Sequence, residues 1–366
     1  MKNILHLSLS MGFGGLERII STLVINLNRN RFQNYICCLD RGGVLLDEIK
    51  DAVEEIFILH RRPVIIDWKL LFCLFQIIRK HNIDIIHSHS GCSFYAAVAG
   101  RLGGAKVIVH TDHGRLVPDR LGLILEDKIA SMLINKYVAV SKELSDYLQS
   151  KVKIHKDKLL TIINGIDTEV FKPLSYDEVS NVKRELDLAE DTEIIGTVCR
   201  LDPVKNLVFM IRALEGIFKK RKKTILLIIG EGQEKKNIED TIDKIGLTEK
   251  IILMGERRDI ARIMPIFNIF VLPSLSEGTS MTILEAMSCG IPVIASLVGG
   301  NSTIVREGIN GHLFPLDRPD ILVDRVVKLL NDKEKAKEMG KEARKIVESE
   351  LHFNHMLKKY TELYLN

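Results

Sequence analysis

Short apolar runs alternate with longer helical patterns from one end of this chain to the other, and no other feature restricts its fold as much. In the first half the strand candidates are 3–9, 34–39, 55–59, 83–87, 106–110, 136–140 and 159–163. In the second half they are 193–198, 224–229, 250–253, 268–272 and 292–295. Helical segments separate most of them, the pattern of parallel sheets with helical crossovers. Two such sets predict an α/β protein of two doubly wound, Rossmann-like domains. Ligands in such domains bind beyond the carboxyl ends of the strands, so the two sets of ends are expected to face a central cleft.

At 366 residues the chain fits two domains of about 100–200 residues each. The first is predicted over 1–170. A linker follows over 171–191, where Pro173 and several acids interrupt any strand pattern. The second domain is predicted over 192–348. The tail 349–366 places Phe353, Met356, Leu357, Tyr360, Leu363 and Tyr364 at amphipathic spacing, which predicts a docked helix.

A net charge of +4 gives no support to a nucleic-acid partner, which needs a concentrated basic stripe. The run Lys219-Lys220-Arg221-Lys222-Lys223 ends a predicted helix, where cations suit the negative terminus. Six scattered cysteines without a Cys-x-x-Cys spacing predict reduced thiols, no zinc and a cytoplasmic setting. Met1-Lys2-Asn3 leads straight into a strand rather than a signal peptide. No run reaches the roughly 20 apolar residues of a membrane span. Between Arg61-Arg62 and Arg79-Lys80, the apolar residues Trp68, Leu70, Leu71, Phe72, Leu74 and Phe75 fit either a helix lying on an anionic bilayer or a buried crossover. Their near-continuous apolarity favours the crossover.

The most telling stretch for chemistry is Ser276-Glu277-Gly278-Thr279-Ser280-Met281-Thr282-Ile283-Leu284-Glu285. Pro273 and Gly278 mark a loop after the apolar run at 269–272. Thr279 or Ser280 can cap the following helix, whose free amides suit a phosphate. A carboxylate on either side can accept hydrogen bonds from hydroxyls. A sugar nucleotide has that order of groups; a buried amphipathic helix with an acidic start is the alternative.

The loop Ser10-Met11-Gly12-Phe13-Gly14-Gly15 ends the first strand candidate. Glu17 occupies the place of the third glycine of the dinucleotide fingerprint, which argues against a dehydrogenase. Arg200 and Lys205 stand at a strand mouth, with a helix expected from about Lys205. Cations are unfavourable at a helix start, so an anionic ligand would explain them. His87 and His89, then His110 and His113, follow apolar runs; they are read as hydrogen-bonded loop anchors more readily than as a metal site. His113, before Gly114, is the one expected to face the cleft. No Asp-x-Asp triplet occurs, so a metal-bridged diphosphate has no obvious holder. Arg200, Lys205 and helix ends would stabilise the leaving group instead.

In order along nearly the whole chain, these pieces resemble retaining, nucleotide-sugar-dependent glycosyltransferases of family 4, with the GT-B architecture. The resemblance rests on Gly14-Gly15-Leu16-Glu17, His87-Ser88-His89, His113-Gly114, Val140-Ser141, Asn164-Gly165-Ile166-Asp167, Arg200 with Lys205, Gly230-Glu231-Gly232, Glu277-x7-Glu285, Val298-Gly299-Gly300 and Gly308-Ile309-Asn310-Gly311. It implies that Glu285 holds the donor ribose and that Glu277 and His113 lie at the transferred sugar. Arg200 and Lys205 would bind the diphosphate. Gly14, Gly15, Gly278, Thr279 and Ser280 would contribute to donor binding.

The donor would be a UDP- or GDP-sugar, with no cofactor and no metal. The acceptor would be a lipid-linked or cell-surface glycan or glycolipid precursor, and the enzyme cytoplasmic or peripheral on the inner face of the cell membrane. Competing readings are a sugar-nucleotide epimerase or hydrolase of the same architecture and a non-catalytic sugar-nucleotide-binding subunit. One departure is visible: Asn301-Ser302-Thr303 follows Gly300, where the family pattern commonly continues with Pro-Glu.

Overall fold

The computed structural model describes every residue except 65, 116–118, 120 and 366. The chain divides into two compact units. One comprises residues 1–164 with 353–366, the other residues 165–352.

In the first unit the strands are β1 (Lys2–Ser8), β2 (Phe32–Cys38), β3 (Glu55–Ile58), β4 (Ile85–His89), β5 (Val107–Asp112), β6 (Lys136–Ala139) and β7 (Leu159–Thr161). They form one sheet in the order β3-β2-β1-β4-β5-β6-β7, with parallel pairing. In the second unit the strands are β8 (Glu193–Val198), β9 (Thr224–Ile229), β10 (Ile251–Leu253), β11 (Ile269–Leu272), β12 (Val293–Ser296) and β13 (Gly311–Phe314). Their order is β10-β9-β8-β11-β12-β13, again parallel. Strand order reverses between β1 and β4 in one unit and between β8 and β11 in the other. A doubly wound sheet opens its ligand crevice at such a point.

Burial explains the continuous apolar runs. All six residues of β9 are buried, as a strand covered by helices on both faces requires. The crossover helix Trp68–Lys80 buries Leu70, Leu71, Leu74, Ile77 and Ile78 in the first core. Its N-cap is Asp67, which accepts a hydrogen bond from the Leu70 amide. The basic run at 219–223 ends the helix Leu207–Lys220 and precedes β9. Lys219 pairs with Glu215, Arg221 with Glu193 and Lys223 with Asp191, so these cations are engaged within the fold.

Four local readings are revised. β4 reaches His89 and β5 reaches Asp112, so His87, His89 and His110 lie inside strands and only His113 stands in a loop. Parallel central strands admit polar residues when each finds a partner, and strand ends cannot then be read from apolarity alone. The helix expected from Lys205 starts at Leu207. A 3₁₀ turn over Pro203–Lys205 precedes it, and Asn206 takes the left-handed conformation with φ 55°. β13 is a strand of four residues that was too short to stand out. The stretch 171–191 holds the helix Tyr176–Glu185, started by a capping box in which Ser175 and Glu178 bond reciprocally.

The C-terminal helix Phe353–Leu365 belongs to the first unit and buries Met356, Tyr360 and Tyr364 there. Lys2 Nζ donates to the Tyr364 carbonyl at 2.8 Å.

Candidate functional site

The second unit brings two charged residues together at its switch point. Lys205 ends the 3₁₀ turn after β8, and Glu277 lies in the loop after β11. Because β8 and β11 are adjacent, these loops meet. Leu275 N–H donates to the Val204 carbonyl at 2.7 Å, and Asn206 Nδ2 donates to the Pro273 carbonyl at 3.3 Å. Lys205 Nζ then donates to Glu277 Oε1 at 2.6 Å. Ser274 Oγ donates to the same oxygen, also at 2.6 Å. Both members of the ion pair are largely buried.

Glycines permit this close packing. Gly299 has φ +47°, and a Cβ there would run into the Glu277 carbonyl oxygen. Gly300 N–H donates to that carbonyl at 3.1 Å. The loop Val298-Gly299-Gly300 thus braces the backbone that presents Glu277. Gly230, with φ +140°, lies so near the Cys199 carbonyl that no side chain fits. Leu201 N–H donates to the Glu231 carbonyl at 2.9 Å, which fixes the loop carrying Arg200.

Arg200 itself is not drawn into the pair. Its guanidinium is 68% exposed and bonds Asp202 at 3.0 Å. Each cation therefore has a carboxylate partner, which the sequence reading missed: Glu277 for Lys205, Asp202 for Arg200. Asp202 was legible as a neighbour two residues on; the Lys205–Glu277 contact required the topology.

Ser280 is the N-cap of the helix Met281–Ser288, and its Oγ accepts from the Ile283 amide at 3.5 Å. Thr279 and Ser280 are buried, and so is Glu285 within the helix. Gly278 sits between Glu277 and that cap. Asn301, at the departure from the family pattern, is fully buried. Its Nδ2 donates to the Ser296 carbonyl at 3.0 Å, tying the start of the helix Asn301–Ile304 to the end of β12.

In the first unit the glycine loop leaves β1, and Gly14 is the N-cap of the helix Gly15–Asn26, without a side chain to satisfy its first amides. The Glu17 carboxylate lies against Gly14 at this helix start. At β5, Asp112 Oδ1 accepts from Gly114 N–H at 3.1 Å, and Ser90 Oγ accepts from His113 N–H at 2.8 Å. Arg115 ties Asp112, Asp119 and Asp127 together around the same loop. His113 Nε2 lies 3.0 Å from His89 Nδ1, so one ring nitrogen donates and the other accepts. Burial, followed by the charge of a protonated His110, pushes His113 down to about 3. At neutral pH it is an uncharged hydrogen-bonding group.

Behind this loop lies a buried histidine layer. His6 of β1 stands in register with His87 of β4. His6, His87 and His89 bring ring nitrogens within 4.8 Å of one another, a donor set of the size a metal ion uses. Both nitrogens of His87 are engaged, by Thr111 Oγ1 at 2.8 Å and Tyr364 Oη at 2.6 Å. A metal would have to displace one of these bonds. His6 lies outside the histidine groups noticed in the sequence, because only strand register brings it to the other two.

Two doubly wound parallel sheets, one with a glycine loop and the other with a charged pair at its switch point, define a two-domain class that binds ligands at strand ends. The family model for Glycosyltransferase Family 4 matches residues 13–170, and that for Glycosyl transferases group 1 matches residues 178–346. The chain belongs to the family 4 type of GT-B glycosyltransferases and is a glycosyltransferase. It is 30% identical to an uncharacterized glycosyltransferase of Methanocaldococcus jannaschii, over 72% of this chain and 70% of that one. It is 27% identical to the UDP-Gal:alpha-D-GlcNAc-diphosphoundecaprenol alpha-1,3-galactosyltransferase of Escherichia coli, over 90% of this chain and 88% of that one. Among solved structures, the UDP-glucose complex of Anabaena HepE superposes with a TM-score of 0.88 at 21% identity, covering 99% of each chain. Among the described residues no helix is long and apolar enough to cross a membrane.

Proposed function

We propose that this glycosyltransferase moves a sugar, with retention, from a UDP- or GDP-sugar to a hydroxyl of a lipid-linked or cell-surface glycan precursor. The observation that carries the reading is the Lys205–Glu277 pair at the β8/β11 switch point. It sets a cation and a carboxylate side by side, where a diphosphate and a sugar carrying positive charge would need them. The similarity to a galactosyltransferase whose name specifies a UDP-Gal donor and a diphosphoundecaprenol-linked acceptor supports the UDP and lipid-linked choices.

In this mechanism the bond from the sugar's anomeric carbon to the diphosphate breaks first. Arg200, Lys205 and the amides ahead of the helix Met281–Ser288 take up the charge on the leaving oxygen. Gly278, Thr279 and Ser280 let that oxygen approach the backbone. Glu277 stabilises the positive anomeric centre. The acceptor oxygen bonds to that centre on the face the diphosphate leaves, and its proton passes to the departing phosphate oxygen. Neutral His113 bonds a sugar hydroxyl, and Glu285 holds the ribose. Gly14 and Gly15 offer backbone N–H groups to the donor phosphates. No metal ion is needed, and the enzyme acts from the cytoplasmic side, peripheral to the membrane.

The test is transfer from UDP-glucose, UDP-galactose, UDP-N-acetylglucosamine and GDP-mannose to diphosphoundecaprenol-linked N-acetylglucosamine, with and without EDTA. The expected product keeps the anomeric configuration of the donor, read by NMR, and forms in EDTA. An inverted product, or transfer restored only by magnesium or manganese, overturns the mechanism. An altered free sugar nucleotide with no glycosidic bond overturns the reaction class.

A further inference from the structure

The helix Leu121–Leu133 is inside out. The residues it buries are Asp127, Ala130 and Ser131, while its large apolar side chains other than Ile124 are exposed. Leu121 is 84%, Leu125 59% and Met132 68% exposed, and Ile129 lies exposed between them. Spacings of four, four and three residues set these on one stripe of the helix.

Apart from Ala130, which joins the first core, the inward face is polar. Asp127 accepts from Ser93 Oγ at 2.6 Å and from Tyr137 Oη at 3.0 Å, and pairs with Arg115. This side is satisfied by a polar network, so the outward leucines contribute nothing to the core. A stripe of this kind marks a surface that meets another apolar phase.

Charge identifies that phase. Exposed Lys128 lies within the stripe. At the helix C-terminus Lys158 Nζ donates to the carbonyls of Ser131, Met132 and Ile134. Arg101 Nε donates to the Leu133 carbonyl at 2.8 Å. Neither cation has a carboxylate partner among these bonds. Of the acids on the helix, Asp127 is tied inward and Glu126 is half-buried. An apolar stripe rimmed by Lys and Arg fits the interfacial plane of an anionic bilayer.

We propose that the helix Leu121–Leu133 is the surface by which this enzyme docks on an anionic membrane, with Leu121, Leu125, Ile129 and Met132 entering the acyl boundary and exposed Lys128 and Arg101 meeting lipid phosphates. This rests on the membrane-peripheral reading given above and specifies its surface. It also moves that surface away from the helix Trp68–Lys80, which spends its apolar face on the core and exposes only Trp68 and Phe72 among its large apolar residues.

The experiment is vesicle flotation of the full chain with phosphatidylglycerol-containing and pure phosphatidylcholine vesicles. Variants are Leu125→Ser with Met132→Ser, Lys128→Glu, and Trp68→Ser with Phe72→Ser. The chain is expected to float with anionic vesicles and to detach in high salt. The Leu125/Met132 double variant should bind about tenfold less, Lys128→Glu several-fold less, and the Trp68/Phe72 variant as the parent does. Unchanged melting temperatures establish that the variants are folded. Equal flotation of parent and Leu125/Met132 variant, flotation lost only in the Trp68/Phe72 variant, or a parent that never floats overturns the proposal. A dimer that the double variant dissolves would reassign the stripe to self-association. Transfer to a water-soluble acceptor, run in parallel, separates the two readings. If it persists without docking, only the surface assignment fails; if it fails while docking persists, the catalytic reading fails instead.

Discussion

Lys205 Nζ and Glu277 Oε1 lie 2.6 Å apart although 72 positions separate the two residues in the chain. Breaking a largely buried pair from one side leaves an uncompensated charge, at a cost of about 3 kcal/mol. Glu277→Leu and Lys205→Met are each expected to destabilise the second unit by about that much. The double variant should cost clearly less than the sum, because neither charge is then stranded. Urea denaturation of the four proteins measures this. Additive losses would mean that the contact carries no coupling in solution.

The two glutamates should separate by ligand. On the proposed roles, Glu285→Gln removes a ribose partner shared by donor and free UDP, so both affinities are expected to fall about tenfold or more. Glu277→Gln should lower turnover far more than affinity for UDP, which has no sugar to contact. Calorimetry with UDP and intact donor, beside initial rates, checks the split. Equal weakening of UDP by both variants would sink the assignment.

Arg200 is a different case from Lys205, because its guanidinium is solvated. Arg200→Ala is expected to change stability by less than about 0.5 kcal/mol. It should weaken UDP and UDP-sugar while leaving uridine unaffected. An Arg200→Ala protein that binds UDP as the parent does would remove Arg200 from the diphosphate site.

The histidine layer makes the first unit sensitive to acid. Burial pushes His6 and His110 down to about 4 and holds His87 and His89 well below the ordinary value of 6.5. Above pH 6.5 these rings are neutral whether the chain is folded or not. Between pH 6.5 and about 4 the unfolded chain takes up protons that the folded one refuses, so stability falls as pH falls. The loss is about 2 kcal/mol per histidine by pH 5. Thermal melts at pH 7.5 and 5.0 should differ by on the order of 10 °C or more. His6→Phe, which removes one titrating ring, should shallow that slope. A melting temperature that does not move over this range would contradict the burial argument.

Much of the architecture was legible because it is written in local periodicity. The apolar runs correspond to β1 through β12, and the wide spacing between runs required parallel crossovers. β13 escaped because four residues carry too little pattern. The helix Tyr176–Glu185 was readable from Ser175-x-x-Glu178, a capping box that acids and a proline nearby disguised as linker. The extent of β4 and β5 was obscured because apolarity is a poor guide to strands whose polar residues bond one another, as Ser88 Oγ and His110 Nδ1 do at 2.9 Å.

By itself, then, the sequence determined two parallel α/β units, the loops after their strands, and which residue types those loops present. These follow from side-chain period, turn residues and capping chemistry, all of which act over a few positions. Only the tertiary structure decided which of those residues meet. Lys205 joins Glu277 because β8 lies beside β11, and His6 joins His87 because β1 lies beside β4. The outward stripe of the helix Leu121–Leu133 is likewise a tertiary outcome. Its leucines are core residues by composition, and they face water because Ser93, Arg115 and Tyr137 hold Asp127 on the opposite side. Strand order and the partners of buried charges are settled by contacts between residues far apart in the chain, and no local pattern encodes them.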